Sequence, residues 1–310
     1  MRYIYVNTCQ QRWEDIPDGF FFDTGYVDSH PGSPFNPNVP LVFAVHDMYG
    51  SHESLLPLLA PLVLKNYRVI AINLPSSNHT NAVGFGHEDG FLHSTDEYAE
   101  FIGDFLAELK IPKVDLMLGQ GTGCIPLLRI CAKTDLCQSA VLICPTGHIP
   151  YKGIEPYKMY EQFVMSWETP FLRPYLKVVA YLLKHLKGLG KHTTDKVITS
   201  FKVIRGMDFN SIGSYLFNLK VKQFPVGVLY CRKDALIEAK ISQSFCQLLG
   251  LEEEQMTTYD KNGQITKKAT LNSKSEGIIL EEKPNNVCQE FHLPLINMIE
   301  KLINLVHQRV

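Results

Sequence analysis

Ten residues constrain this chain more than any others: Asp115-Leu116-Met117-Leu118-Gly119-Gln120-Gly121-Thr122-Gly123-Cys124. An apolar run meets a Gly-x-x-x-Gly turn and passes directly into the helical pattern Ile125-Pro126-Leu127-Leu128-Arg129-Ile130. Glycines at that spacing let a strand and the next helix pack closely, with the residue between them held at the tip of a sharp turn. In G-x-S-x-G enzymes that tip presents a nucleophilic serine. Here the tip is Gly121, which has no side chain to offer. The same residues that predict a strand–turn–helix unit therefore predict that its chemical group is absent.

Other apolar runs extend the pattern. Residues 2–6 and 20–27 alternate like strands, and Leu41-Val42-Phe43-Ala44-Val45 is a continuous run of the kind buried on both faces of a sheet. Tyr67 to Asn73 and Ser139 to Cys144 read as further strands, and a polar, glycine-bearing loop is expected from Asn78 to Phe91. Helical stripes cover Leu55 to Val63 and, after an N-cap at Ser94 or Thr95, Tyr98 to Leu109. Beyond Pro145 the alternation stops. Residues 147–222 carry helical patterns only, broken at Pro170, Pro174, Gly188 to Gly190 and Gly206. Strand and helix then resume with Val226 to Tyr230, Ile237 to Leu249, Met256 to Tyr259 and a C-terminal amphipathic helix through Leu295, Leu302 and Val306. The expected fold class is α/β, a mostly parallel central sheet with helices on both faces. A helical cap or lid (147–222) follows the fourth core strand, and the core is split into 1–146 and 223–310.

Composition narrows the function. With 310 residues and 45% hydrophobic content the chain buries a large core, and its formal charge of -2 gives no global field for nucleic acid. No apolar stretch is long enough for a transmembrane span, and the N-terminus lacks the apolar segment of a signal peptide. Eight cysteines without a C-x-x-C pair read as reduced, buried thiols of a cytoplasmic protein, Cys131, Cys144 and Cys231 among them. Without a secretory signal the sequon Asn78-His79-Thr80 carries no weight. No cofactor or metal site is expected.

Acyl transfer on such a frame needs a nucleophile, a histidine base, an acid to orient the histidine, and two backbone N–H groups for the oxyanion. Asp234, just past the strand Val226 to Tyr230, stands where the acid belongs. If Met256 to Tyr259 is the last strand, the histidine falls on Gln264. If Glu282-Lys283-Pro284 sets the register, it falls on Gly277. Neither is a histidine, and glutamine cannot act as a general base at any pH. The remaining C-terminal histidines, His292 and His307, read as helix-surface residues. The oxyanion donors would be the N–H groups of Met48 and Thr122. Where His-Gly is usual, the loop has His46-Asp47, which brings a carboxylate beside a place meant for developing negative charge. Thr122 is expected to face the sheet or helix, and Cys124 to lie buried and inert in the helix. No triad is expected.

These residues carry a resemblance. His46-x-x-x-Gly50-Ser51, Asn73-x-Pro75, the Gly119 to Gly123 turn and Arg232-Lys233-Asp234-x-Leu236-Ile237-Glu238 make the chain similar to the α/β-hydrolase superfamily over nearly its whole length. Gly50-Ser51-His52, Gly123-Cys124, the run Gly147 to Pro156 and Lys233 to Glu238 resemble most closely a family of α/β-hydrolase-like proteins best known from nematodes. That resemblance implies serine at Gly121 and histidine at Gln264, and this chain departs at both. Relatives of this fold that lost triad members, such as plant gibberellin receptors and neuroligins, act by binding small molecules or proteins.

The cap segment 151–222 has twelve Lys and Arg against five Asp and Glu, about +7, which leaves about -9 elsewhere in a chain of net -2. Within it Leu172, Tyr175, Leu176, Val179, Leu182, Leu183 and Leu186 form a stripe expected to pack on the core, beside Arg173, Lys177, Lys184 and Lys187. The combined expectation is a non-catalytic α/β-hydrolase-fold protein, a pseudoenzyme. It would bind an apolar or acidic small molecule under the cap or engage a protein partner. The alternative is an active hydrolase, of ester, amide or lyase type, with a non-standard nucleophile.

Overall fold

Side chains of a strand point alternately to its two faces, so a run that is apolar at every position needs cover on both. Leu41–Val45 (β3) shows this directly: Phe43 and Val45 enter one apolar cluster while Val42 and Ala44 enter the other. Each Val, Leu or Phe of this run contributes about 1.5–3 kcal/mol when fully buried. The computed structural model describes residues 1–308 except 15, 84–89, 187 and 271–272. Lys187 and most of the predicted loop's tip thus lie outside the described residues.

The strands are β1 (Arg2–Thr8), β2 (Phe20–Asp28), β3, β4 (Arg68–Ile72), β5 (Thr80–Val83), β6 (Leu116–Gln120), β7 (Ala140–Ile143), β8 (Val226–Lys233), β9 (Met256–Tyr259), β10 (Ile265–Lys267) and β11 (Glu276–Glu282). They form one sheet in the order β1-β2-β4-β3-β6-β7-β8-β11-β9-β10, with β5 paired to β2. The stretch from β4 to β9 is parallel, and β1, β2, β5 and β10 join it antiparallel. Two expectations are corrected. A short strand, β5, lies inside the predicted loop. Met256–Tyr259 is not the last strand, because β11 inserts between it and β8, pairing Leu280 with both Cys231 and Tyr259.

Helices α1 (Leu56–Leu64), α9 (Val287–Glu290) and α10 (His292–His307) cover one face; α2 (Thr95–Glu108), α3 (Cys124–Lys133) and α8 (Ala239–Leu248) cover the other. Ser94, one of the two expected candidates, is the N-cap of α2, and its side chain and that of Glu97 bond reciprocally to backbone N–H groups.

Between β7 and β8 the elements are helical: α4 (Tyr157–Trp167), α5 (Arg173–Leu186), α6 (Thr194–Gly206) and α7 (Phe209–Val221). The first three pack on one another, whereas α7 returns to the core layer against α3 and α8. Tyr49 of the loop after β3 donates its hydroxyl to Ser200 Oγ on α6 (2.7 Å) and stacks on His192 at 4.6 Å. This ties the helical segment to the carboxyl edge of the sheet.

The stripe on α5 is not a core stripe as a whole. Turning about 100° per residue, the helix carries two apolar rows. Leu176, Ala180 and Leu183 face the core, while Tyr175, Val179, Leu182 and Leu186 are 42–82% exposed. The sequence pattern merged the two because both recur at spacings of three and four. Accordingly, Val179→Glu and Leu182→Glu should each change stability by no more than about 0.5 kcal/mol, and Ala180→Glu should cost several kcal/mol. Urea unfolding of the three variants measures this, and a large loss from Leu182→Glu would refute the assignment of faces.

Candidate functional site

The turn after β6 folds as its glycines require. A Cβ on Gly119 would lie 2.8 Å from Cys124 Cα, and one on Gly123 would lie 2.4 Å from the His46 carbonyl oxygen. Neither position admits a side chain. Gly121 takes φ +55°, the left-handed conformation of a sharp strand-to-helix tip.

The space that a side chain at the tip would occupy is already taken. An ideal Cβ on Gly121 would fall 2.3 Å from Cγ of Asp47 and 2.4–2.5 Å from its two carboxylate oxygens. Asp47 Oδ1 accepts from the Met48 N–H (2.8 Å), the Thr122 N–H (2.9 Å) and the Thr122 hydroxyl (2.8 Å). The Met48 N–H is shared with Thr122 Oγ1 at 2.9 Å. Both backbone N–H groups expected to serve an oxyanion therefore hold an internal carboxylate, through bonds of the charge-assisted kind. Thr122 accordingly faces the Asp47 loop, not the sheet or helix as expected.

His46 is fixed by the backbone at both ring nitrogens. Leu74 N–H can only donate, so Nε2 is the acceptor at 2.9 Å, and Nδ1 carries the proton that it donates to the Asp47 carbonyl oxygen at 2.6 Å. Complete burial pushes its pKa down to about 4, against smaller opposing effects of Asp47. It is a neutral strut that shapes the loop, with no nitrogen left for proton transfer.

Asp234 follows β8 directly and is almost buried, its side chain 5% exposed. One carboxylate oxygen accepts from the N–H groups of Leu236 (2.7 Å) and Ile237 (3.3 Å); the other meets Lys283 Nζ at 2.7 Å. Lys283 lies in the loop after β11. Burial alone would lower its pKa, but the bond and charge of Asp234 outweigh it and raise it. The group facing the acid is thus a persistent ammonium, with no lone pair to accept a proton near neutral pH.

Gln264 does not approach this place. It ends the exposed turn between β9 and β10, two strands beyond β8, where its N–H bonds Asp260. Gly277, the alternative, is the second residue of β11 and pairs with Met256 and Val228, near the strand's start and away from its carboxyl end. Both registers failed because β11 was missed. The run Gly277-Ile278-Ile279-Leu280 is the signal that would have found it, and Lys283 with it.

Cys124 is buried in α3, and its thiol pKa is pushed well above normal by burial and then by Asp47, so it supplies no thiolate. His148, after β7, reaches Ser244 Oγ at 3.4 Å, but its Nδ1 is buried without a hydrogen-bond partner, so no acid orients it. His30 bonds Ser29 at the opposite edge of the sheet, beside the start of β4. The cavity reaching Met48 and Thr122 holds about 20 Å³, room for about one water. Among the described residues no group of three or more His, Cys, Asp and Glu is arranged to hold a metal ion, and no helix is long and apolar enough to cross a membrane.

The strand order, the glycine-framed turn after β6 and the acid after β8 define an α/β-hydrolase fold. The chain belongs to the family described as alpha/beta hydrolase of unknown function (DUF1057), whose model matches residues 21–277. Solved structures agree in fold. The enol-lactonase from Burkholderia xenovorans LB400 has a TM-score of 0.61 at 12% identity, over 96% of this chain and 100% of its own. A carboxylesterase of the thaumarchaeon Nitrososphaera gargenis gives 0.62 at 12% identity (99% and 100%). A thermophilic esterase from Thermogutta terrifontis gives 0.62 at 11% identity (99% and 100%). No curated protein sequence matches.

Proposed function

We propose that this protein is a non-catalytic member of its family, a pseudoenzyme that acts as a binding module. The observation that carries this reading is the Asp47 carboxylate on the Met48 and Thr122 N–H groups. An acyl oxygen needs those donors, and to reach them it would have to expel an anion held by three hydrogen bonds. Gly121 without a nucleophile, Lys283 in place of an imidazole against Asp234 and a cavity of about 20 Å³ support it. By motif we place the chain nearest the nematode-type members, and we read 147–222 as an inserted cap whose last helix joins the core. Eight free cysteines fit a reducing, cytoplasmic setting.

A Thr122→Val control tests the reading, because Thr122 carries the hydroxyl next in sequence to the turn's tip. The wild type should hydrolyse p-nitrophenyl acetate and butyrate no faster than this variant, and neither should be labelled by a fluorophosphonate. Turnover that the substitution abolishes would establish an active hydrolase with a threonine nucleophile. Of the two binding modes, a ligand in the former catalytic cavity is disfavoured by its size. The exposed row Tyr175, Val179, Leu182 and Leu186 favours protein interaction as a second mode.

A further inference from the structure

A surface helix ordinarily turns its polar side to solvent. α5 does not. Phe171, in the single turn Pro170–Leu172 that leads into it, is followed at intervals of three or four residues by Tyr175, Val178, Leu182 and Leu186. These five are 56–82% exposed, while Leu176, Ala180 and Leu183 meet the core. Around the outward half of the helix, from Tyr181 through Leu182 to Val179, there is no Asp, Glu, Lys or Arg. We infer that this face seats on an anionic lipid surface. α5 lies in the plane of the headgroups, its outward row at the acyl boundary and its lysines among the headgroup charges.

Exposed apolar surface of this extent marks either a protein or a lipid contact. The charge around it calls for an anionic partner. From Thr169 to Thr194 the chain has no Asp or Glu, against Arg173, Lys177, Lys184, Lys187 and Lys191. Lys177 lies 3.6 Å from Asp195, and both side chains are more than half exposed, so water screens the pair. Lys184 donates to the His192 carbonyl oxygen at 3.3 Å and sits 5.1 Å from the centroid of the Tyr181 ring. A carbonyl and a phenol ring are neutral, so these contacts hold the ammonium in place without cancelling its charge. Lys191 is exposed, and among the described residues no carboxylate pairs with it. Lys184 and Lys191 therefore leave positive charge uncompensated at the edge and the end of the apolar face.

The form of the face favours lipid over protein. A helix taken into a protein groove meets walls on both its sides, but α5 is held to the core along Leu176, Ala180 and Leu183 and offers one side only. A protein interface is also fixed in register by hydrogen bonds, and the polar groups here are few: the hydroxyls of Tyr175 and Tyr181 and the ring of His185. Tyrosine suits the lipid–water boundary, where its ring is apolar and its tip wet. Basic residues beside a Leu- and aromatic-rich face are the composition of a helix that lies on an anionic membrane. A second copy of the chain would instead bring like charge to like. Seating on lipid goes beyond the binding-module reading and does not depend on the loss of catalysis. Vesicle binding and ester turnover are read separately, so either can fail alone.

Cosedimentation of the full chain with phosphatidylcholine vesicles containing about 30% phosphatidylserine should show saturable binding, about tenfold tighter than to phosphatidylcholine alone. Raising NaCl from about 20 to about 300 mM should weaken it. Leu182→Gln/Leu186→Gln should reduce binding about tenfold, and Lys184→Gln/Lys191→Gln should remove most of the preference for phosphatidylserine. Leu182, Leu186 and Lys191 are exposed, so their variants should keep the wild-type urea midpoint. If Lys184→Gln shifts that midpoint, Lys191→Gln and the salt series carry the charge comparison. No binding to the phosphatidylserine vesicles would overturn the proposal and leave the row to a protein partner. So would equal binding to the two kinds of vesicle, or unchanged binding in the folded leucine variant. A lipid-free dimer that the leucine variant disperses, seen by sedimentation velocity, would place a second copy on the row and overturn it as well.

Discussion

Gly121→Ser, the substitution that would restore the expected nucleophile, should destabilise the protein by about 2–5 kcal/mol. The sum has two sources. A non-glycine residue at φ +55° costs about 1–2 kcal/mol, and overpacking a filled site costs about 1–3 kcal/mol. Here the atom to be displaced is Cγ of Asp47, 2.3 Å from the new Cβ, and moving it breaks its bonds to Met48 and Thr122. Asp47→Gly removes the obstruction and leaves only the backbone cost at position 121. The double variant Asp47→Gly/Gly121→Ser should therefore lose less than the two single losses added, by about 1–3 kcal/mol. Urea unfolding of the four proteins gives this coupling. Additivity within about 0.5 kcal/mol would mean that Asp47 does not fill the nucleophile's space in solution. The double variant should still hydrolyse no ester, because the group facing Asp234 remains the Lys283 ammonium.

Gly121 and Asp47 therefore complement each other. Removing the side chain at 121 vacates a space lined by two backbone donors, and such donors left buried and unpaired would cost about 1–3 kcal/mol each. An aspartate at 47, one residue from Met48, has the reach to satisfy both, and a glycine there does not. Position 47 was visible in the sequence as an oddity beside His46, but not the direction of its carboxylate, since a single sequence does not say whether a loop side chain turns inward.

Legibility followed local physics elsewhere too. The buried strands β3, β4, β6, β7 and β8, the N-cap at Ser94, and Asp234 after β8 were readable because each is written in contiguous residues. β11 is apolar enough to be read, but its place between β8 and β9 is a long-range pairing that periodicity does not encode. That one omission placed the expected histidine at Gln264, two strands beyond β8, and not in the loop after β11 that carries Lys283. The α5 stripe failed for a different reason: two apolar rows at the same spacing look like one wide row until a neighbouring helix chooses between them.

Acidification should weaken the fold well before carboxylates titrate. Burial holds the pKa of His46 down to about 4 and that of His93 down to about 3, the latter helped by the charge of Lys202. An unfolded histidine titrates near 6.5. Below that pH the unfolded chain takes up protons that these two rings refuse, so stability falls as pH drops from about 6.5 towards the folded values. Each ring should remove about 1 kcal/mol between pH 6 and pH 5, and His46 alone about 3 kcal/mol over its whole window. Asp104, whose pKa burial raises, works in the opposite sense. His46→Gln isolates the contribution of His46: an amide can donate to the Asp47 carbonyl oxygen and accept from Leu74 N–H, yet does not titrate. Its loss between pH 6 and pH 5, measured by urea unfolding, should be smaller than the wild type's by about 1 kcal/mol. An identical slope in the two proteins would mean that His46 is not held neutral between Leu74 and Asp47, and the Asp47 loop would then lack the strut that keeps its carboxylate over Gly121.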